Sequence, residues 1–450
     1  MSDRFTPLFR LMALASYRIG GVDVAGSTRW LEETLAWPPQ KRAEWRLERL
    51  NSILKFAWDH VPFYQEYWGD HAVDRRDLKD ISELHRYPIL AKTTFKANAA
   101  RMSPPEHLRP KNFSKSTGGS TGAPVKYTMD FQQWPMMQSF HNWGWGQAGY
   151  RLGDAAATLA GGSLIPKNAT WKGRLRSYVE RKMFLFGVHM DAELARSYHE
   201  RLTRFKVEYL YGYPSVIYVF SKHLVEQGLK LPTLRAVITT SEMLQPQYRS
   251  SIEKNLSCPV FDDVGCNDGG YQAYECALHR GFHYNDLQAV LQVAEEGDLG
   301  RLLITNLWNR SMPFIRYENG DMVQLAPSLC RCGAPFPVIA KIQGRTTDFL
   351  TFRNGTTFFV APHIFGPLDI EGWQVVQKTL DHVEVRLCRQ ADSLREQDIR
   401  HVTEVFRHHL PAEVQLSINH VKSLTLTAAG KHKPVWSEVD LQKESLPVAS

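Results

Sequence analysis

Ser116-Thr117-Gly118-Gly119-Ser120-Thr121-Gly122-Ala123-Pro124-Val125-Lys126 is the stretch on which the reading of this chain turns. Its first seven residues are all Ser, Thr or Gly. That is a costly composition for an ordered segment, because glycine loses more backbone freedom on folding than any other residue. Such a loop offers several backbone N–H groups and hydroxyls to one anion, the donor set a polyphosphate needs. Gly/Ser-rich runs also serve as flexible linkers. This one is short and leads into Val125-Lys126-Tyr127-Thr128, which has strand character. No Gly-Lys-Ser/Thr closes it, so a Walker-A loop is excluded.

Working outward, 450 residues are too many for one ordinary core, and two or three domains are expected. Hydrophobic residues at 43% and charged residues at 22% are globular values and exclude a disordered chain. The net charge of +7 is spread along the sequence without a basic run of five, which suits anionic small molecules and argues against nucleic acid. No apolar stretch reaches membrane-spanning length. Phe5 to Ile19, with Leu8, Phe9, Leu11, Met12 and Leu14 interrupted by Arg10 and Arg18, predicts an N-terminal helix with at most peripheral membrane contact. It is too short for a signal peptide and no cleavage pattern follows, so a cytoplasmic protein is expected.

Pro38-Pro39 marks a break, after which Leu47, Leu50, Leu54, Ala57, Trp58 and Val61 recur at helical spacing until Pro62. The aromatic cluster Phe63, Tyr64, Tyr67 and Trp68 reads as core. Beyond the glycine loop, strands are predicted at Ala155–Ala160, Val207–Tyr211 and Ala236–Thr240. Helices alternate with them, one lined by Leu194, Tyr198 and Leu202 and one opened by Pro214. This alternation indicates an α/β layered core. From Gly300 onward the pattern turns β-rich, with strands at Leu302–Leu307 and around Val323-Gln324-Leu325. After Asp348 a small α+β unit is predicted: strand Val383–Leu387, helix Ser393–His408 and strand Val414–Ile418.

Six cysteines do not make a disulfide framework in a chain this long. Five of them, Cys258, Cys266, Cys276, Cys330 and Cys332, crowd one region. Cys276 with His279 or His283, together with Cys330-Arg331-Cys332, supplies three thiolates and an imidazole, a donor set for structural zinc. Buried free cysteines also serve as small apolar residues.

Four further segments follow the glycine loop in order: Val264-Gly265-Cys266-Asn267-Asp268-Gly269-Gly270, Arg316-Tyr317-Glu318-Asn319-Gly320-Asp321, Gly344-Arg345-Thr346-Thr347-Asp348 and Ala429-Gly430-Lys431. From about Val61 to Lys431 the chain resembles the adenylate-forming enzymes. It is most similar to their phenylacetate-CoA ligase-like branch, which includes proteins of capsular polysaccharide synthesis. Val61-Pro62-Phe63-Tyr64, Tyr211-Gly212-Tyr213-Pro214-Ser215 and Met312-Pro313-Phe314-Ile315-Arg316-Tyr317 carry the likeness to that branch.

The resemblance implies an α/β fold, with a large N-terminal adenylation domain of layered sheets (1–345) and a small mobile α+β C-terminal domain (346–450) carrying Lys431. It implies activation of a small carboxylic acid by ATP and Mg²⁺ to an acyl-adenylate, with AMP and pyrophosphate released. The acyl group then passes to coenzyme A, or alternatively to an amine on a sugar or amino acid. Ser116, Thr117, Gly118, Gly119, Ser120, Thr121, Gly122, Lys126, Asn267, Asp321 and Arg345 are the nucleotide-binding candidates it implies. Within this set the Gly118–Gly122 loop would take the β- and γ-phosphates, Asp321 the ribose hydroxyls and Arg345 ribose or phosphate. Lys431, Asp268 and Arg345 are implied as catalytic residues, and Asp348 as the hinge.

Tyr213 or Ser241-Glu242 would border the adenine or the acid. Asp268 stands where the family usually has a Mg²⁺-coordinating Glu, one methylene longer. Members of the branch often carry Cys…His…Cys-x-Cys with the His after a Gly and an apolar residue. Gly281-Phe282-His283 fits that pattern, which selects Cys276, His283, Cys330 and Cys332 as a structural zinc set. A binding protein on a degenerated ligase fold is the competing class, supported only by Val264 and Asp268. A kinase-like phosphotransferase lacks both a Walker-A lysine and a kinase catalytic loop.

Overall fold

The structure, a computed structural model, describes residues 6–116, 126–161, 164–165, 170–187, 190–294, 299–345, 349–354, 356–360, 362–365, 367–427 and 432–439. The N-terminal segment is helical, in runs Thr6–Ile19, Val24–Leu35, Pro39–His60 and Pro62–Asp70. Two of these begin with proline at the first helical position, where its missing N–H costs nothing. Pro62 therefore ends one helix and opens the next, and the aromatic cluster lies on that second helix. Phe63, Tyr64 and Trp68 are buried there against Phe314, Ile315 and Tyr317.

Strands β1 (Asn112–Ser116) and β2 (Lys126–Asp130) form an antiparallel hairpin whose last pair is Ser116 opposite Lys126. The main sheet follows. Its first half holds β3 (Ala156–Ala160), β4 (Lys182–Phe186), β5 (Tyr209–Gly212), β6 (Ala236–Thr239) and β7 (Val260–Cys266), all parallel. Helices such as Ala192–Phe205 and Pro214–Glu226 intervene, as parallel crossovers require. Its second half is antiparallel: β8 (Tyr271–Glu275), β9 (Phe282–Tyr284), β10 (Ala289–Val293), β11 (Gly300–Asn306), β12 (Tyr317–Leu325) and β13 (Val338–Arg345). The halves join at β7, giving the order β10-β11-β12-β13-β9-β8-β7-β6-β5-β3-β4.

The inner strands β3 (Ala-Ala-Thr-Leu-Ala) and β6 (Ala-Val-Ile-Thr) are built from small, apolar and β-branched residues, as strands covered by helices on both faces are. Every residue of β3 and β6 is buried. A buried ion pair crosses this body, Arg42 Nε donating to Asp286 Oδ1 at 3.0 Å. Removing one partner of such a pair costs more than the pair contributes.

A hairpin of β14 (Phe349–Thr351) and β15 (Thr357–Phe359) precedes a four-stranded sheet of β16 (Gly372–Thr379), β17 (His382–Cys388), β18 (Gln415–Val421) and β19 (Val435–Ser437), in the order β18-β17-β16-β19. Helix Glu396–His409 packs on it through Val402 and Phe406. The core of this unit runs from Leu350 to Val435 and is separate from the others. Several contacts among the described residues tie it to the main body. Lys222 Nζ lies 3.5 Å from Glu371, Tyr248 Oη donates to the Glu371 carbonyl at 3.5 Å, and Trp373 Nε1 donates to Gln245 Oε1 at 3.4 Å.

Candidate active site

The hairpin of β1 and β2 holds both ends of the glycine loop. Residues 117–125, and with them Thr117, Gly118, Gly119, Ser120, Thr121 and Gly122, lie outside the described residues. The flanks are fixed at two points. At the far end of β2, the Asp130 carboxylate accepts the backbone N–H groups of Arg310 at 2.9 Å and Ser311 at 2.8 Å, and Asn309 Nδ2 donates to the Thr128 carbonyl at 2.8 Å. At the loop end, Lys115 Nζ donates to Asn267 Oδ1 at 3.2 Å. Burial holds the Lys115 ammonium below its ordinary pKa. The loop therefore starts and stops beside the turn that follows β7.

That turn carries Asp268, a half-buried carboxylate with both oxygens engaged. Cys266 Sγ donates to Oδ1 at 2.7 Å and Tyr317 Oη donates to Oδ2 at 2.9 Å. Burial, then the negative charges of Asp268 and Asp321, push the Cys266 thiol well above its usual value, so it stays protonated and is a donor. Burial and then Asp268 and Cys266 raise the nearby Tyr127 phenol likewise. Tyr317 is aimed by its neighbour. Arg316 sits at φ +46°, its N–H bonds Thr305 Oγ1 at 2.9 Å, and its guanidinium grips the carbonyls of His85 and Tyr87. A non-glycine residue at positive φ is strained, and it is held here by those three bonds.

Asp321 lies in the interior of β12, directly opposite Arg345, the last residue of β13. Its oxygen accepts from Asn319 Nδ2, and its own N–H donates to Asn319 Oδ1 at 3.0 Å. Tyr317, which reaches Asp268, opens the strand that carries Asp321, so the two carboxylates lie on adjoining segments. The structure thus brings together Ser116, Lys126, Asn267, Asp268, Asp321 and the backbone of Arg345. It places Asp348 and Lys431 outside the described residues.

Tyr213 and Glu242 have other surroundings than the sequence suggested. Tyr213 is fully buried in the core beneath the parallel strands. Glu242 follows Ser241, whose φ is +68°, and its carboxylate joins three segments. Oε2 accepts from Ser215 Oγ at 2.6 Å and Ser215 N at 3.3 Å, while Oε1 accepts the backbone N–H of His432 at 2.7 Å. His432 Nε2 in turn meets the Trp373 carbonyl at 2.9 Å. The residue after Lys431 is thereby moored to the main body. Sequence reasoning did not single out Lys115, Cys266 or Tyr317 as site residues, although each flanks or lies within a quoted segment.

The thiols resolve into three roles. Cys258 is packed in the core under the parallel strands, and Cys266 faces Asp268. The ligand atoms of Cys276, His283, Cys330 and Cys332 all lie within 4.8 Å of one another. Cys276 and Cys330 sulfurs are 3.9 Å apart, and Cys332 Sγ is 3.4 Å from His283 Nε2. A tetrahedral zinc with Zn–S near 2.3 Å has S···S edges of about 3.8 Å, so the donor set and its spacing fit the metal. His283 Nδ1–H donates to the Phe336 carbonyl at 3.3 Å, which leaves Nε2 for the metal side. Burial pushes the Cys276 thiol up to about 11. At Cys330 burial also works upward, but hydrogen bonds from Cys332 and Cys276 and the charge of Arg280 outweigh it and bring the thiol below its ordinary value. His279 is elsewhere, against Glu275 at 3.0 Å.

No protein-family model matches the chain. Protein CapK of Staphylococcus aureus is 21% identical over 404 residues, covering 86% of this chain and 87% of that protein. A phenylacetate-coenzyme A ligase of Pseudomonas putida is 26% identical over 333 residues, covering 70% and 72%. Among solved structures, a 2-hydroxyisobutyryl-CoA ligase in the postadenylation state with an acyl-AMP has a TM-score of 0.67 at 19% identity, covering 89% of this chain and 90% of that one.

Proposed function

We propose, from a chain that belongs to the adenylate-forming enzymes on their phenylacetate-CoA ligase-like branch, that this protein joins a carboxylic acid to coenzyme A through an acyl-adenylate. The observation that carries this reading is the contact of Lys115 with Asn267, next to Asp268, where the β1–β2 hairpin holds both ends of the glycine loop. Attack of the acid on the α-phosphate of ATP expels pyrophosphate, and the charge developing there needs donors held in place beforehand.

In this reading residues 116–122 and Lys126 hold the phosphates. Asp321 accepts from the ribose hydroxyls, and Arg345 across the strand pair contacts ribose or phosphate. Lys431 neutralises charge at the α-phosphate and the attacking oxygen. Mg²⁺ would be held through water by Asp268, whose oxygens each accept one hydrogen bond and keep further lone-pair sites. Bound there, it would offset negative charge on the phosphates. The four-residue Cys/His cluster is proposed as structural zinc joining the β8–β9 turn to the loop between β12 and β13. Residues 346–450 are proposed as a mobile unit hinged at Asp348. The resemblance to a branch that includes proteins of capsular polysaccharide synthesis makes polysaccharide biosynthesis the setting we propose, with an amine as the alternative acceptor. Among the described residues no helix is long and apolar enough to cross a membrane.

The test is an acid-dependent ATP–pyrophosphate exchange screen with nucleotide products resolved, repeated with coenzyme A and with amines. AMP and pyrophosphate are the expected products, with strict Mg²⁺ dependence. ADP as the product overturns the assignment. A second result follows from the Asp268 geometry. Asp268→Asn keeps the shape but loses the charge, and the Mg²⁺ concentration for half-maximal exchange should rise about 10- to 100-fold. An unchanged Mg²⁺ titration would remove Asp268 from the metal's surroundings.

A further inference from the structure

Helix Thr6–Ile19 is apolar on two sides. Ala13 and Tyr17 face the core with Val22, Val24, Leu152 and Val179. Leu8, Leu11, Met12 and Ile19 recur along the opposite side, and Leu11 and Ile19 are 67% and 89% exposed. A helix that is apolar all round is normally covered on every side. Helix Trp171–Val179 packs beside it and repeats the pattern. Its Trp171, Leu175 and Tyr178 fall at i, i+4 and i+7 on one exposed stripe, with Trp171 71% exposed. Phe9, half-buried on the flank of the first stripe, meets Tyr178 of the second edge to face at 6.3 Å, so the exposed sides of the two helices adjoin.

Its charges are one-sided. Neither helix contains an Asp or Glu, while Arg10, Arg18 and Arg174 are exposed. The nearest carboxylate in sequence, Glu180, is buried and neutralised by Arg176 at 2.6 Å and Lys182 at 2.8 Å. Leucines, an exposed Trp and Tyr, and arginines without acids are the composition of surfaces that lie in the headgroup region of a bilayer. There aromatic rings sit at the boundary and cations meet anionic lipids.

We infer that the paired helices Thr6–Ile19 and Trp171–Val179 form a docking face for an anionic membrane surface. The inference does not depend on the reaction proposed above. Trp171 and Tyr178 anchor the protein at the interface, Leu8, Leu11 and Leu175 enter the acyl boundary, and Arg18 and Arg174 meet the headgroups. The affinity is reversible, since short interfacial helices bind far more weakly than a spanning helix.

The experiment is flotation of the full chain with vesicles of phosphatidylcholine alone and of phosphatidylcholine with phosphatidylglycerol, at low and high salt. Binding to the anionic vesicles, weakened by salt, is expected. Arg18→Ala with Arg174→Ala should lower the partition coefficient roughly tenfold or more. Leu11→Glu with Trp171→Glu should abolish binding. All four residues are exposed, so circular dichroism and the melting temperature should match the parent chain and separate lost docking from lost folding. No binding to anionic vesicles overturns the proposal. So does binding that survives Leu11→Glu with Trp171→Glu. Concentration-dependent dimerisation removed by the same variants would assign the face to a second copy and equally overturn it.

Discussion

Lys431→Ala is expected to lower the rate of acyl-adenylate formation by on the order of 10²-fold or more, the scale for losing one preorganised charge at a developing oxyanion. ATP binding should change little, because the glycine loop and Asp321 carry it in the proposed site. Transfer of the acyl group from a pre-formed adenylate should be nearly unaffected if the C-terminal unit rotates between the two steps, as hinged domains do about a few residues. Single-turnover measurement of each half-reaction distinguishes these outcomes. Equal losses in both would make Lys431 structural and would end the domain-rotation account.

Glu242 extends the same prediction to a residue that touches no reactant in the proposed site. Its carboxylate accepts the His432 N–H at 2.7 Å and is itself held by Ser215. It is therefore a positioning residue for the segment bearing Lys431. Glu242→Ala should lower the maximal rate of adenylation roughly tenfold, given how steeply rates fall with misplacement of a catalytic group. The KM for ATP and the transfer step should stay near their parent values. A general loss of folding would depress both half-reactions together.

Loss of the metal cluster is the second large effect. Zinc should co-purify at about one equivalent per chain, because three thiolates and one imidazole complete a tetrahedral site. Cys276→Ser leaves the other three ligands facing one another beside a buried gap. Removing a structural metal removes folding free energy directly, and a melting temperature lower by roughly 5–10 °C is expected. Activity per folded molecule below that temperature should fall less than about threefold, since the cluster joins strands and touches no reactant in the proposed site. Protein purified without chelators and found free of zinc would return these cysteines to the role of packing residues. A loss of exchange activity at unchanged stability would instead place the cluster in the chemistry.

The α/β alternation, the helix opened by Pro214, the glycine-loop composition and the order of five motifs were legible in the sequence because each is written in residues near one another along the chain. Periodicity and turn chemistry act over a few residues, so the predicted strand Ala236–Thr240 differs from β6 by one residue and Val383–Leu387 from β17 by one residue at each end. The site was legible as a set of candidates. Spacing alone left His279 and His283 both open, and the Gly-Phe-His pattern preferred His283. The fold put its Nε2 against Cys332 and turned His279 to Glu275.

What the tertiary structure alone decided is which distant residues meet. Asp321 faces Arg345 through a strand pairing whose register shifts at Met322/Val323 and again at Gln324/Leu325. A slip of one residue would send either side chain to the other face of the sheet. Tyr317 reaches Asp268 because Arg316 is held at positive φ by carbonyls more than two hundred residues earlier in the chain. Lys115 and Asn267, or Glu242 and His432, are likewise paired only by the way sheet and hairpin stack. Local sequence carries no record of such pairings, because the side chains that make them gain nothing from each other until the sheet has closed.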